Sequence, residues 1–186
     1  IFLVNVSEWD NLKLTDYEVL ILPDWDYPFA DDKSAMDKIK RFIRQGGKVI
    51  SMESAVEQLA SGNFGFSLKE AKDADKADST TDYSLLKKYG QRDRDYLKNS
   101  IPGAIYKLEL DNSHPLAFGY PDFYFTLKQN TDLYNYMKDG WNVGALKKSN
   151  YTSGFVGSSL KPELIDGTLI GATGYGSGNI IFFADD

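Results

Sequence analysis

Apolar residues within residues 1–60 form short, nearly continuous runs that alternate with segments of helical period. Residues 17–22 contain such a run, which is typical of a parallel strand buried on both faces. Residues 1–6 and 48–52 have the same character, and each run ends at a polar residue, a glycine or a proline. This pattern predicts three strands in the N-terminal part of the chain.

The segment between the last two of these strands predicts an amphipathic helix. Asp32 or Ser34 is a suitable N-cap, because a short polar side chain accepts hydrogen bonds from the first turn. Gly46 and Gly47 end the helix, since glycine adopts a left-handed conformation at low cost. A second helix is predicted at residues 55–60. One apolar stripe with a 3.6-residue period contains Met36, Ile39, Phe42 and Ile43.

The remainder of the chain has a different pattern. A polar insertion is predicted at about residues 66–100, and β-structure follows Pro102. Residues 168–172 and 179–183 flank a glycine-rich turn and predict a hairpin. We therefore expect one domain over residues 1–186. Its predicted fold is a flavodoxin-like three-layer α/β sandwich, with a mostly parallel sheet and antiparallel additions at one edge.

Composition excludes several classes of function. The net charge of −6 disfavours nucleic-acid binding, which requires a concentrated basic surface. No apolar run approaches the roughly 20 residues of a membrane span. The chain has no cysteine and one histidine, which excludes thiolate catalysis, cysteine-based zinc sites and multi-histidine metal sites. No cofactor is therefore expected in this chain.

The predicted strand-to-helix junction at residues 46–60 resembles the nucleophile elbow of class I glutamine amidotransferases. In that family a parallel strand ends in a sharp turn that carries cysteine, and the following helix offers N–H groups to an oxyanion. In this chain Glu53 stands at the cysteine position, and Ala55 replaces the usual glycine. A carboxylate is a poor substitute for a thiolate in acyl transfer, so the resemblance implies the fold without the chemistry.

Three other residues are weak catalytic candidates at this junction. Ser51 and Ser54 flank Glu53, although neither lies in a Gly-x-Ser-x-Gly motif. His114 is the only candidate base, and it lies in a loop outside the His–Glu pair that the amidotransferase family uses. The simplest interpretation of Glu53 is that its carboxylate caps the second helix, where the helix dipole favours a negative charge.

The loop after the second strand suggests two further kinds of site. Asp24 and Asp26 are possible ligands for a divalent cation, although helix caps and turns are the more economical interpretation. Trp25 and Tyr27 are candidate residues for contact with a sugar, a peptide or a neighbouring domain. With Glu53, they form the predicted ligand-binding set, beside a remnant pocket at the elbow.

A second resemblance covers nearly the whole chain apart from the polar insertion. It rests on residues 20–60, 101–120, 154–159 and 176–186, which are similar to the C-terminal amidotransferase-like domain of large secreted zinc carboxypeptidases from Bacteroidetes-type bacteria. The resemblance implies that this chain is part of a longer polypeptide. The parent peptidase domain would bind zinc through His-x-x-Glu and a distant histidine, and the protein would be periplasmic or extracellular.

These observations predict a non-catalytic accessory domain that packs on or positions the peptidase domain of the same polypeptide. Two alternatives remain open. One is a hydrolase that uses Glu53 with His114. The other is a carbohydrate- or peptidoglycan-binding module that uses Trp25 or Tyr27.

Overall fold

The computed structural model describes residues 1–27, 32–70, 86 and 88–185. Three helices and eight strands make up the regular structure of these residues. The helices are α1 (Lys33–Arg44), α2 (Ser54–Ala60) and α3 (Arg92–Lys98). The strands are β1 (Val19–Leu22), β2 (Lys48–Met52), β3 (Gly103–Leu110), β4 (Phe123–Lys128), β5 (Gly140–Leu146), β6 (Tyr151–Phe155), β7 (Gly167–Tyr175) and β8 (Gly178–Phe183).

The three predicted strands of the N-terminal part have different outcomes. β1 and β2 form and pair in parallel, as predicted. The prediction of a strand at residues 1–6 was wrong, because residues 1–5 have no regular secondary structure and a 3₁₀ turn begins at Val6. The side chains of Ile1, Phe2 and Leu3 are exposed. An apolar run becomes a strand only when a neighbouring strand accepts its hydrogen bonds, and β1 does not pair with this segment.

The first helix forms as its sequence predicts. Asp32 is the N-cap, and its Oδ1 accepts hydrogen bonds from the N–H groups of Ser34 and Ala35 at 2.8 and 3.3 Å. Gly46, just beyond the helix, has a φ of 106°, which glycine adopts without the steric cost that a side chain imposes. The predicted apolar stripe is buried in the core: Met36, Ile39, Phe42 and Ile43.

The sheet is mixed, so the prediction of a mostly parallel sheet was wrong. Its order is β1-β2-β8-β7-β5-β3-β4, with β6 also paired to β3. Only the β1–β2 and β2–β8 pairings are parallel among the described strands. The other described pairings are antiparallel. The predicted hairpin accounts for one of them: a two-residue turn joins β7 to β8, and a connection that short permits only antiparallel pairing.

The parallel block consists of β1, β2 and β8. Because side chains alternate along each strand, this block has two unlike faces. One face contains Leu22, Val49 and Phe182, which belong to the same core cluster as the buried side chains of α1 and α2. The opposite face carries the row Ile21–Ile50–Ile181, in register across β1, β2 and β8. Ile21 is 49% exposed and Val19 is 42% exposed. The predicted third layer therefore does not cover β1 within the part of the chain that the structure describes.

Part of the polar insertion, residues 71–85 and 87, lies outside the described residues. Phe66, at its predicted start, is buried and stacks on Phe182 with ring centroids 4.7 Å apart. Leu68 forms an isolated antiparallel bridge with Tyr134. None of the helices in the described ranges has the length and apolar character needed to cross a membrane.

Candidate functional site

The bend between β2 and α2 places Glu53 in a strained conformation. Its φ of 47° and ψ of −120° lie in a region that side chains other than glycine rarely occupy. Two backbone hydrogen bonds hold it there: Glu53 N–H donates to Phe183 O at 2.8 Å, and Val56 N–H donates to Glu53 O at 2.9 Å. Strain of this kind costs about 1–3 kcal/mol and is concentrated at functional sites. The bend predicted at residue 53 is therefore present.

The α2 N-terminus is capped from the loop after β1. Glu53 occupies the N-cap position, but its side chain makes no capping hydrogen bond, so the prediction that its carboxylate caps α2 was wrong. Asp24 Oδ1 instead accepts hydrogen bonds from Ser54 N–H at 3.2 Å and from Ser54 Oγ. Asp24 thus caps α2, which agrees with the interpretation of this residue as a helix cap and not a cation ligand.

The loop that carries Asp24 is fastened to α2 by one side chain that the sequence analysis missed. Gln58 Nε2 donates to Trp25 O, and Gln58 Oε1 accepts from Tyr27 N–H, both at 2.9 Å. Ser54 Oγ lies 3.1 Å from Trp25 O. No sequence signal identified Gln58, because a glutamine on a helix is usually solvated. The result is a loop held against the first turns of α2 by Ser54 and Gln58.

The two aromatic residues of this loop differ in environment. Trp25 is 63% exposed, whereas Tyr27 is half-buried and its hydroxyl donates to Pro23 O at 3.2 Å. Burial, followed by the negative charge of Asp24, raises the pKa of Tyr27 above its ordinary value. Trp25 is therefore the more accessible of the two for contact with a ligand or another domain.

The described contacts of Ser51 and His114 are with residues other than Glu53. Ser51 is fully buried, and its Oγ lies 3.5 Å from Ile181 O. His114 begins the 3₁₀ turn at Pro115–Ala117, and its Nδ1 accepts a hydrogen bond from Leu116 N–H at 3.2 Å. The His114 ring lies 5.7 Å from the Trp141 ring centroid. These contacts do not join His114 to either serine or to Glu53.

A cavity of about 230 Å³ lies on the opposite side of β8 from the elbow. Its polar lining consists of Tyr120, Tyr124 and Asp185. Phe183 connects the two places, because its carbonyl accepts from Glu53 N–H while its side chain lines the cavity. Glu53 is not among the residues that line this cavity, so the remnant pocket predicted beside Glu53 stays a prediction. The apolar lining is Leu110, Leu116, Ala117, Val143, Ile170 and Phe183.

Asp185 is held in place at the end of β8. Thr126 Oγ1 donates to Asp185 Oδ1, and the Tyr124 hydroxyl is hydrogen-bonded to the same side chain. The charge of Asp185 is the main cause that raises the pKa of Tyr124, followed by burial. Beside this carboxylate, the buried Lys128 donates from Nζ to Ala184 O at 3.3 Å. Sequence analysis missed Asp185, although an acidic residue two positions after a predicted strand was visible.

Solved structures with a similar fold give a context for this arrangement. A ThuA-like protein from Bacteroides uniformis matches 98% of this chain and 65% of its own, with a TM-score of 0.54 and 12% identity. A β-galactosidase from Bacillus circulans sp. alkalophilus matches 92% of this chain and 20% of its own, with a TM-score of 0.52 and 12% identity. A glutamine amidotransferase from Thermotoga maritima matches at a TM-score of 0.47 and 11% identity.

The chain is similar in fold to a ThuA-like protein. At 12% identity, this likeness concerns the fold alone. The chain spans about a fifth of the β-galactosidase and 65% of the ThuA-like protein. No protein-family model matches the sequence, and no curated protein sequence does so either. Within the described residues, no group of three or more histidine, aspartate or glutamate side chains is arranged to hold a metal ion.

Proposed function

We propose that this chain is a non-catalytic, amidotransferase-like accessory domain that packs against another domain of a longer polypeptide. The observation that carries the proposal is the elbow itself. Its strained backbone is intact, yet Glu53 stands where a nucleophile is needed. The adjacent Ser54 hydroxyl is hydrogen-bonded to Asp24 and the Trp25 carbonyl, and the contacts of His114 lie within its own turn and at Trp141.

The apolar face of the parallel block supports the packing role. Parallel sheets are normally covered on both faces, because both faces are apolar. Here Val19, Ile21 and Met52 are between 37% and 49% exposed on the face opposite α1 and α2. The resemblance of the sequence to the C-terminal domain of secreted zinc carboxypeptidases suggests which partner covers it. We therefore propose the peptidase domain of the same polypeptide as the partner, in a periplasmic or extracellular protein whose zinc is bound by that domain.

The expected lack of hydrolytic activity is tested on the purified chain. Hydrolysis of glutamine, simple amides and simple esters is measured for the wild type, Glu53→Gln and the matched control Asp26→Asn. We expect no turnover above the buffer rate in any of them, because the described contacts of His114, the single histidine, lie within its own turn and at Trp141 and do not activate Ser54 or Glu53. Turnover in the wild type that Glu53→Gln abolishes and Asp26→Asn retains would show a hydrolase and refute the proposal.

The packing role is tested on the full-length polypeptide and on the isolated chain. Ile21→Asp places a charge on the exposed sheet face, and Leu97→Asp, on α3, is a control at a residue that is 51% exposed. We expect Ile21→Asp to lower the melting temperature and peptidase activity of the full-length polypeptide, with little effect on the isolated chain. Equal behaviour of the two variants in the full-length polypeptide would contradict the packing role.

Trp25 favours a second candidate function, a carbohydrate- or peptidoglycan-binding module. Trp25 is 63% exposed, while Gln58 and Ser54 hold its backbone in place. A fixed, exposed indole is a suitable stacking surface for a sugar ring. Binding on a glycan array that is lost in Trp25→Ala and retained in Tyr27→Phe would favour this function over the accessory role.

A further inference from the structure

The strand β4 lies at the opposite end of the sheet from β1, so its use does not depend on the proposed accessory role. It is the last strand of the order β1-β2-β8-β7-β5-β3-β4, and β3 is its only neighbouring strand within the described ranges. A strand with one neighbour leaves half of its backbone N–H and C=O groups without a strand partner. β4 therefore offers an edge to which a further strand can be added.

The hydrogen bonds between β3 and β4 show which backbone groups point to this free edge. Leu110 N–H donates to Asp122 O at 3.0 Å, so the backbone groups of Asp122 point toward β3. In an antiparallel strand, the direction of the backbone groups alternates from one residue to the next. The N–H and C=O groups of Phe123, Phe125 and Leu127 therefore point to the free edge.

The side chains of the same three residues form an apolar row on one face of the sheet. Phe125 is 50% exposed, Leu127 is 42% exposed and Phe123 is partly buried. Ile105, which pairs with Leu127 from β3, is 41% exposed beside them. Natural edge strands are often protected by lysine, proline or a bulge, and this row contains none of these. The backbone and the side chains of the edge thus both suit an added strand with apolar residues.

The order of the residues in β4 is self-complementary. When two copies of β4 pair in antiparallel direction about Phe125, Phe123 lies opposite Leu127 and Phe125 lies opposite its own copy. All the edge residues then face edge residues, so each opposing pair exchanges two N–H···O bonds. At the ends of the strand, Asp122 lies opposite Lys128, so no like charges face each other. A two-fold contact of this kind is the commonest arrangement in homo-oligomers.

We propose that two copies of this chain associate through β4, in antiparallel register about Phe125, to form one continuous sheet. The bond from the buried Lys128 to Ala184 O stays in place, because the pairing uses backbone groups at the outer edge. Leu127 O accepts from Thr126 Oγ1 at 3.4 Å, and a carbonyl oxygen has two lone pairs. A contact along one strand is small, so we expect a dissociation constant of roughly 10–100 µM.

The proposal is tested by sedimentation velocity of the purified chain between roughly 5 and 500 µM, a range that brackets the expected dissociation constant. We expect monomer at the lowest concentration and dimer at the highest. Phe125→Lys should weaken the dimer by about tenfold or more, because two lysines would face each other across the pairing. Phe155→Lys is the matched control, since Phe155 is 43% exposed on β6, and it should associate as the wild type does.

A proline variant tests the backbone pairing separately from the side chains. Phe125→Pro removes an N–H group that points to the free edge, so it should prevent association and leave the pairing with β3 intact. Thermal unfolding shows whether each variant is folded. If the proline variant does not fold, Phe125→Lys and Phe155→Lys still decide the question.

Single cysteines test the register, because the chain contains none of its own. In the proposed dimer, the two copies of residue 125 have Cα atoms about 5.5 Å apart, within the range of a disulfide. The two copies of residue 123 are about 13 Å apart, beyond that range. With copper phenanthroline as the oxidant, Phe125→Cys should therefore form a cross-linked dimer about tenfold faster than Phe123→Cys.

Any of three results would overturn the proposal: a chain that stays monomeric over the whole range, a dimer that Phe125→Lys and Phe125→Pro both leave intact, or equal cross-linking of the two cysteine variants. A monomeric chain in which Phe125→Lys lowers stability only within the full-length polypeptide would assign the edge to another domain instead. Ile21→Asp, which tests the accessory role, should leave the dimer unchanged, so a failure of one proposal is distinguishable from a failure of the other.

Discussion

The strained backbone at Glu53 predicts that glycine is more stabilising than alanine at this position. Within a helix the order of these two residues is the opposite. Glu53→Gly and Glu53→Ala both remove the carboxylate and its interactions, so their difference isolates the effect of the Cβ atom at φ 47° and ψ −120°. Release of the strain is worth about 1–3 kcal/mol. The greater freedom of glycine in the unfolded chain offsets about 0.5–1 kcal/mol of that gain. We therefore expect the glycine variant to be more stable than the alanine variant by about 1–2 kcal/mol.

The measurement is urea unfolding of the two variants, with thermal unfolding as a second readout. For a domain of this length, the expected difference corresponds to roughly 2–8 °C in melting temperature. Asp37, on the exposed side of α1, is the matched control. There the alanine variant should be the more stable by about 1 kcal/mol, because glycine is unfavourable within a helix. The reasoning is falsified if Glu53→Ala is as stable as Glu53→Gly while the control pair behaves as expected.

Three further predictions concern the surroundings of the site. Asp24→Ala should lower the free energy of unfolding by about 1 kcal/mol through loss of the α2 cap, with Asp26→Ala as the control, in urea unfolding. Phe182→Ala should cost about 3–5 kcal/mol in the same assay, because the ring is fully buried and a cavity would remain. The Ser113 hydrogen bond chiefly holds the pKa of Asp111 below its ordinary value, so this carboxylate stabilises the fold above the unfolded-state pKa and loses that effect as pH falls through the folded-state value. Ser113→Ala should raise the Asp111 pKa in an NMR titration, and an unchanged value would contradict the assignment.

The exposed face of β1, β2 and β8 and the cavity beside β8 share one strand. Residues on β8 alternate between the helix-covered face, where Ile180 and Phe182 are buried, and the face with Ile181 and Phe183. A domain packed on the exposed face would therefore lie close to the cavity.

Local patterns in the sequence determined the helix α1, the strands β1 and β2, and the bend at residue 53. Each depends on neighbours close in the chain: the apolar stripe of α1, the Asp32 cap, and the glycines that end the helix. The β7–β8 hairpin was predictable for the same reason, since its turn fixes the pairing of the strands. Composition also predicts which classes of function are disfavoured, nucleic-acid binding among them.

Only the tertiary structure decided which segments pair and what each candidate side chain contacts. Residues 1–6 have the composition of a strand but no strand beside them, and the sheet is mixed because distant segments add to it in antiparallel order. Asp24, and not Glu53, caps α2, because a loop that is distant in sequence lies against the helix. Asp185 meets Tyr124 and Thr126 across the end of the sheet. Contacts between residues far apart in the chain depend on the order of the strands in the sheet, and no local pattern encodes that order.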